Sequence, residues 1–272
     1  DLFGRLGCEP VFLYMEPDGR YPNHHPDPTV EKNLVDLKAA VRRDALELGV
    51  GFDGDSDRIG VVDDRGQVLW GDRLLALFAR DVLSNNPGSA IIFEVKCSES
   101  LPADILRHGG RPIMWKTGHS LIKKKMRDEG APLAGEMSGH VFFADRYFGY
   151  DDAIYAACRL LEIVSKADRP LSELLADLPV LPNTPEIRIP CEDDRKFDVV
   201  DAVRDRFRRT HEVIDVDGAR IRFENGWGLV RASNTQPVLV LRFEAETEEA
   251  LGQIKGAVAD FLDDHVDVGE LR

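Results

Sequence analysis

The sequence predicts an α/β protein, with sheet units covered by helices up to about residue 180 and then a C-terminal α+β domain. Three observations carry this. Short apolar runs alternate with stretches of helical periodicity from Gly71 to Lys166. Pro170, Pro179, Pro182, Pro185 and Pro190 cluster between 168 and 190 and mark a stiff connection. Beyond it, strand-like runs follow one another with short turns, the order of an antiparallel sheet capped by helices.

The elements follow in order. PVFLYM (10–15) reads as a buried strand with no earlier segment to pair with, so the chain is expected to open inside a unit. A polar loop, PDGRYPNHHPDP, leads to Thr29, the expected N-cap of a helix from Val30 to Leu48 that Gly49 ends. VGFD and IGVVD read as strands on either side of an aspartate-rich loop. From Gly71 the expected order is helix (72–83), strand (90–95), helix (about 99–107), strand (112–115) and helix (120–130). The segment APLAGEMSGHVFFAD and a helix over 152–166 follow. This alternation implies a parallel sheet whose binding edge lies at the carboxyl ends of the strands. After the connection come a strand (185–189), a helix (197–209), strands near 212–216 and 219–224 joined at Asp217 and Gly218, strands near 227–231 and 237–244, and a helix from 247 to about 265.

Composition limits the function. Of the 272 residues, 43% are hydrophobic and 31% charged, an ordinary folded chain. A net charge of -14 argues against general binding to nucleic acid or to an anionic membrane, each of which needs a basic face. An acidic protein that takes phosphates must gather its Arg and Lys locally. No apolar run reaches the ~20 residues of a membrane span, and the start does not resemble a signal peptide. Cys8, Cys97, Cys158 and Cys191 are scattered without a CxxC pair, which suits reduced thiols in a cytoplasm and buried apolar roles.

The most informative segment is VGFDGDSDRIGVVD (50–63). Asp53, Asp55 and Asp57 recur at every second position, with Arg58 next. In a loop this spacing turns three carboxylates toward one point, where their repulsion is costly without a cation, and hard oxygen ligands favour Mg²⁺ or Ca²⁺. An EF-hand also begins D-x-D-x-D, but wants Gly sixth and Glu twelfth, where this chain has Arg58 and Asp64. Arg58 suggests a site where a cation and a guanidinium meet a phosphate together.

Three further loops carry chemistry. Lys96 follows one strand, and Lys116, Thr117, Gly118 and His119 follow another, so they are expected at the same sheet edge. GEMSGH (135–140) sets Glu136, Ser138 and His140 on a glycine-flanked turn, chemically suited to reading a hexose. RASNTQP (231–237) offers the Arg231 fork with Ser233, Asn234 and Thr235, either a phosphate cradle without Walker glycines or an ordinary polar turn. The His24 and His25 pair lacks a spaced third ligand and reads as structural or solvated.

In this order, DGDSDR, KTGH, GEMSGH and RASNT resemble the α-D-phosphohexomutases, and specifically the bacterial phosphomannomutase/phosphoglucomutase group; NHHPDP resembles it too. GEMSG is similar to the dual mannose/glucose enzymes, where phosphoglucosamine enzymes usually carry GEQSG and many phosphoglucomutases GEES. The resemblance implies partial and complete α/β domains of mixed sheet with covering helices. Residues 1–66 would be the C-terminal part of domain 2 with the metal loop, 67–180 domain 3 with the sugar-reading loop, and 181–272 domain 4 with the phosphate loop. Family members have four domains around a central cleft, the last being mobile.

By the same resemblance, Asp53, Asp55 and Asp57 hold Mg²⁺, and Arg58, Lys96, His119 and His140 act at the reacting phosphate and hydroxyl. Thr117 and Gly118 lie beside the substrate, Glu136 and Ser138 read the sugar, and Arg231, Ser233, Asn234 and Thr235 grip the non-reacting phosphate. The implied activity interconverts the 1-phosphates and 6-phosphates of mannose and glucose through a phosphoserine and a 1,6-bisphosphate, with glucose 1,6-bisphosphate as activator. A cytoplasmic monomer that takes hexose phosphates, and neither nucleic acid nor membrane, is implied. The family's phosphoserine lies in a T-A-S-H-N-P-like segment, which this sequence lacks. The chain is therefore expected to be a carboxyl-terminal portion, inactive alone. A Mg²⁺-dependent sugar phosphatase and a non-catalytic module binding a cation and a sugar phosphate are the alternatives.

Overall fold

The computed structural model describes residues 2–16 and 18–271. The chain divides into two compact units, one of residues 1–93, 101–113 and 119–178, the other of residues 94–100, 114–118 and 179–272.

The first unit begins with a short helix, α1 (Leu2–Arg5). The strand expected at 10–15 is absent. Val11, Phe12, Tyr14 and Met15 are exposed, and among the described residues this segment pairs with no other strand. An apolar run becomes a strand only where a neighbour takes its N–H and C=O groups. The next helix also differs from expectation. After a 3₁₀ turn at Glu31–Leu34, α2 (Val35–Asp44) ends at Ala45, which is left-handed at φ 51° and returns its N–H to the Val41 carbonyl. Thr29 does not cap it, because its N–H and hydroxyl both bond Asp27 Oδ1, at 3.0 and 2.7 Å. Gly49 serves packing instead. A Cβ there would stand 2.8–2.9 Å from the Val41 and Leu37 side chains of α2.

Leu48 and Gly49 belong to β1 (Leu48–Phe52), which pairs antiparallel with β2 (Ile59–Asp63); β3 (Val68–Leu69) completes a three-stranded sheet. Phe52 stands opposite Ile59, so residues 53–58 are the turn of a β-hairpin.

The second sheet starts after α3 (Gly71–Asn85), whose face of Leu74, Leu75, Phe78 and Val82 is fully buried. Its strands are β4 (Ala90–Glu94), β5 (Arg111–Trp115), β6 (Leu133–Gly135), β7 (Val141–Phe143) and β8 (Tyr150–Asp151), in the order β5-β4-β6-β7-β8. The helices α4 (Ser100–Arg107), α5 (His119–Glu129) and α6 (Ala153–Lys166) connect or follow them. Strands β4 and β6 are parallel, but β7 and β8 turn antiparallel, so the sheet is mixed rather than parallel throughout. The reason is loop length. GEMSGH leaves too few residues between β6 and β7 for a parallel crossover, which takes a dozen or more.

The connection begins later than the prolines suggest. Residues up to Leu178 pack in the first unit, with α7 (Leu171–Leu174) among them. Arg73 of α3 donates to the Leu175 and Leu178 carbonyls, and Arg80 to that of Leu174.

In the second unit, β9 (Ile187–Pro190), β10 (Val213–Ile214), β11 (Ala219–Phe223), β12 (Gly226–Ala232) and β13 (Val238–Ala245) form an antiparallel sheet ordered β10-β11-β12-β13-β9. Helices α8 (Lys196–Phe207) and α9 (Glu248–Leu262) supply the α+β character. The Thr247 side chain caps α9 by accepting the Ala250 N–H at 3.2 Å. Alternation sorts the two faces. Ile189, Ile221, Val230, Leu239, Leu241 and Phe243 join Val203 of α8 and Val258 of α9 in the core. Arginines occupy the other face in register. Arg220 faces Leu229, which faces Arg242; Arg188 faces Val240, which faces Arg231. An acidic chain thus gathers guanidinium groups on one surface of one sheet.

All four cysteines are free, with Cys97 and Cys191 buried. No helix among the described residues is long and apolar enough to cross a membrane.

Candidate active site

In the first unit the hairpin turn is organised by Asp53. Its Oδ1 accepts the Asp57 and Arg58 N–H groups at 3.1 and 3.0 Å, and its Oδ2 accepts Arg58 Nε at 2.7 Å. Arg58 also lies 3.5 Å from Asp27. Ser56, left-handed at φ 61°, lets the chain reverse. The carboxylates of Asp53, Asp55 and Asp57 then each place an oxygen within 4.8 Å of the others. Burial pushes the Asp57 carboxyl up, as do Asp53 and Asp55, although His140 opposes this. At Asp53 burial acts the same way, but the bonds from Arg58 outweigh it and hold the carboxyl below its usual range. An all-oxygen set with one strained carboxylate fits a hard divalent cation.

The GEMSGH turn is hydrogen-bonded directly to this hairpin. Arg58 and His140 form an antiparallel bridge, and Ile59 N–H donates to the Gly139 carbonyl at 3.0 Å. Gly139 sits at φ 88°, and a Cβ there would fall 2.4 Å from the Ile59 carbonyl oxygen. Gly139→Ala should therefore cost about 1–3 kcal/mol by strain alone, read as a lower urea midpoint. A midpoint equal to wild type would show that the contact is dispensable.

On this turn Glu136 is buried and accepts the Ser138 hydroxyl at 3.2 Å. His140 Nδ1 stands 3.1 Å from Asp151 Oδ2 and 3.7 Å from Asp57 Oδ2. Lys123 donates to Asp151 Oδ1 at 2.9 Å, and His119 Nδ1 lies 3.7 Å from Oδ2 of the same carboxylate. The two imidazoles stack at 6.1 Å. Burial disfavours charge on His140, but Asp151, Glu136 and Asp57 outweigh it and raise its pKa.

The second unit holds another polar cluster. Lys96 is buried, with Nζ 2.9 Å from Glu186 Oε2 and 3.7 Å from Glu94 Oε1. Burial opposes its charge, yet the two carboxylates outweigh it and raise its pKa. Thr117 donates its hydroxyl to Glu94 at 2.6 Å and its N–H to Asp217 at 3.0 Å; Asp217 also accepts Arg231 Nε at 2.9 Å. Gly118 takes φ 128°. The RASNTQP loop is largely bonded to itself. Ser233 Oγ accepts the Thr235 and Gln236 N–H groups at 3.3 and 3.2 Å, while Asn234 and Thr235 are exposed. Arg231 is only 7% exposed.

Comparison with known proteins identifies the family. Family models for domains II, III and IV of phosphoglucomutase/phosphomannomutase match residues 1–66, 70–181 and 186–261 respectively. The chain belongs to the phosphoglucomutase/phosphomannomutase family. It is 55% identical over 255 residues to a phosphomannomutase/phosphoglucomutase of Pseudomonas aeruginosa, covering 93% of this chain and 55% of that protein. It is 50% identical over 257 residues to a phosphoglucomutase of Neisseria meningitidis serogroup A, covering 93% of this chain and 56% of that one. A crystal structure of a phosphoglucomutase/phosphomannomutase family protein from Burkholderia thailandensis superposes with TM-score 0.91 at 46% identity, over 98% of this chain and 58% of its own. The chain thus spans a little over half the length of these relatives.

Within this phosphohexomutase chain, Asp53, Asp55, Asp57, Arg58, His119, Glu136, Ser138 and His140 fall in the first unit. Lys96, Thr117, Gly118, Arg231, Ser233, Asn234 and Thr235 fall in the second, so KTGH is divided after its glycine. Reasoning from the sequence missed the carboxylates that hold the cations: Asp151 under His140, Glu94 and Glu186 around Lys96, and Asp217 between Thr117 and Arg231. Of these, only Asp151 carried a signal, in the DD of YFGYDD. The His24 and His25 rings lie against Tyr14 and Tyr21.

Proposed function

We propose that this chain carries the cation-binding, sugar-reading and phosphate-gripping parts of a hexose phosphate mutase, interconverting the 1-phosphates and 6-phosphates of glucose and mannose by phosphoryl transfer. The observation that carries the reading is the DGDSDR hairpin turn bonded to GEMSGH, in a chain half identical to proteins named phosphomannomutase/phosphoglucomutase.

Asp53, Asp55 and Asp57 would hold Mg²⁺, which when bound supplies Lewis-acid withdrawal of charge from a phosphoryl oxygen. The protein's own groups do the rest. Arg58, oriented by Asp53, presents its outer N–H groups to equatorial phosphoryl oxygens, the positions where charge spreads in such transfers. Lys96 adds a permanent positive charge. His140, backed by Asp151, can give a proton to or take one from a sugar hydroxyl, with His119 beside it. Glu136 accepts from the sugar hydroxyls, Ser138 donates or accepts, and Thr117 with Gly118 lines the substrate. Arg231, Ser233, Asn234 and Thr235 take the non-reacting phosphate. A glucose 1,6-bisphosphate activator, a monomeric state and a cytoplasmic setting belong to the same reading.

These 272 residues lack a T-A-S-H-N-P-like serine segment, so binding is the question to put to this chain. In isothermal titration with Mg²⁺ present, glucose 1-phosphate should bind saturably. Arg231→Ala should lose about 1.5–3 kcal/mol, the worth of a hydrogen bond to a charged group. Equal affinity in the variant would remove the RASNT loop from the site. Release of inorganic phosphate without isomer formation, with a serine-bearing segment supplied, would favour the phosphatase.

A further inference from the structure

On the arginine face of the second unit, Arg188 is a guanidinium outside the RASNT motif that lies in register with Arg231. Arg188 stands in β9 opposite Val240, and Val240 stands opposite Arg231 of β12. Directly opposed residues of antiparallel strands point to the same side, so Arg188 and Arg231 flank Val240 on one face. Two strand spacings separate their backbones by about 10 Å, and an arginine stem can reach the middle from either side.

The two arginines differ in state. Arg231 is 7% exposed, with Nε on Asp217; Arg188 is 56% exposed. Arg188 is nonetheless held in place. Its Nε and Nη2 lie 2.8 and 2.7 Å from Glu186 Oε1, and its Nη1 donates to the Gln236 side chain at 2.6 Å. Gln236 belongs to the RASNTQP loop, and its carbonyl accepts Lys196 Nζ at 3.1 Å. The other oxygen of Glu186 is occupied by Lys96. A guanidinium has five N–H donors in a rigid fork, and these contacts leave donors on both Nη atoms of Arg188 for an anion at the loop.

We propose that Arg188 is a second guanidinium for the phosphate gripped by the RASNT loop, oriented by Glu186 and Gln236, and the one through which phosphate first meets this loop. The inference rests on the hexose phosphate reading and deepens it. Exposure suits a group that captures the anion, while Arg231 behind it serves as an anchored one. Because Glu186 shares its two oxygens between Lys96 and Arg188, the two cations are spaced by one rigid carboxylate.

Titration calorimetry with glucose 1-phosphate and Mg²⁺ tests this on four variants. Arg188→Ala should raise Kd about tenfold, the usual scale for one charged hydrogen-bond partner, and Arg188→Lys should recover part of the loss by restoring the charge. Gln236→Ala removes one of two braces and leaves the guanidinium on Glu186, so its Kd should rise by clearly less than that of Arg188→Ala. Arg231→Ala reports on the underlying reading. If Arg231→Ala weakens binding and Arg188→Ala does not, Arg188 has no part in the site. If Gln236→Ala costs as much as Arg188→Ala, the pair only braces the loop and the inference is overturned. If the wild-type chain binds no hexose phosphate, both readings fall together.

Discussion

Asp57→Asn should abolish the stabilisation that Mg²⁺ confers on this chain. With the cation at about 100 times its Kd, binding to the folded state alone adds about 2.7 kcal/mol, and the variant should lose nearly all of it. The choice of residue follows from the local geometry. Asp53 is committed to the Asp57 and Arg58 N–H groups and to the Arg58 side chain, so replacing it would damage the hairpin turn itself. Asp57 is half-buried beside two other carboxylates, and its own carboxyl is pushed up by burial and by them. Without Mg²⁺ the variant should therefore be as stable as wild type or slightly more so, because it relieves like-charge repulsion. Urea unfolding with and without Mg²⁺ gives both comparisons. Mg²⁺ stabilisation that survives intact in Asp57→Asn would mean that the three-aspartate turn is not the cation site.

The second large effect is on stability alone. Arg220 has no exposed surface, lies with its guanidinium carbon 3.7 Å above the Trp227 ring, and donates to the carbonyls of Val95 and Cys97 and to Glu99. Burial lowers its pKa, while Glu99 and Glu244 pull the other way. Arg220→Ala would remove the donor that the Val95 and Cys97 carbonyls share and would leave Glu99 paired with Arg222. A buried acceptor that loses its donor costs about 1–3 kcal/mol, so the urea transition should move by a few kcal/mol. Arg220→Lys should rescue little, since one ammonium cannot reproduce a planar fork reaching two carbonyls and a carboxylate. A loss under about 1 kcal/mol would show that the buried guanidinium contributes nothing net.

Some of this was legible residue by residue. The helices over 71–85, 153–166 and 196–207 announce themselves by periodicity because each buries one stripe. The aspartate loop was legible because repulsion among three close carboxylates demands an explanation from the sequence alone. Elements that depend on a distant partner were read wrongly. PVFLYM has the composition of a buried strand and is exposed. Gly49 looked like a helix terminator and is instead a close-contact residue of β1 against α2. Alternation of strands and helices alone implied a parallel sheet; β7 turns antiparallel, giving the mixed sheet that the family resemblance implied.

By itself, then, the sequence determined the fold class, the order of most elements, and which short loops are dense in carboxylates, imidazoles and guanidinium donors, since those follow from local pattern and residue type. Only the tertiary structure decided which carboxylate holds which cation: Asp151 under His140, Glu94 and Glu186 around Lys96, Asp217 behind Arg231. It also decided that Arg188, Arg220, Arg231 and Arg242 share one face of the C-terminal sheet. The physical reason is that charge pairing acts over a few ångströms in space. Partners such as Lys96 and Glu186, ninety positions apart in the chain, become neighbours only once strand register has been set.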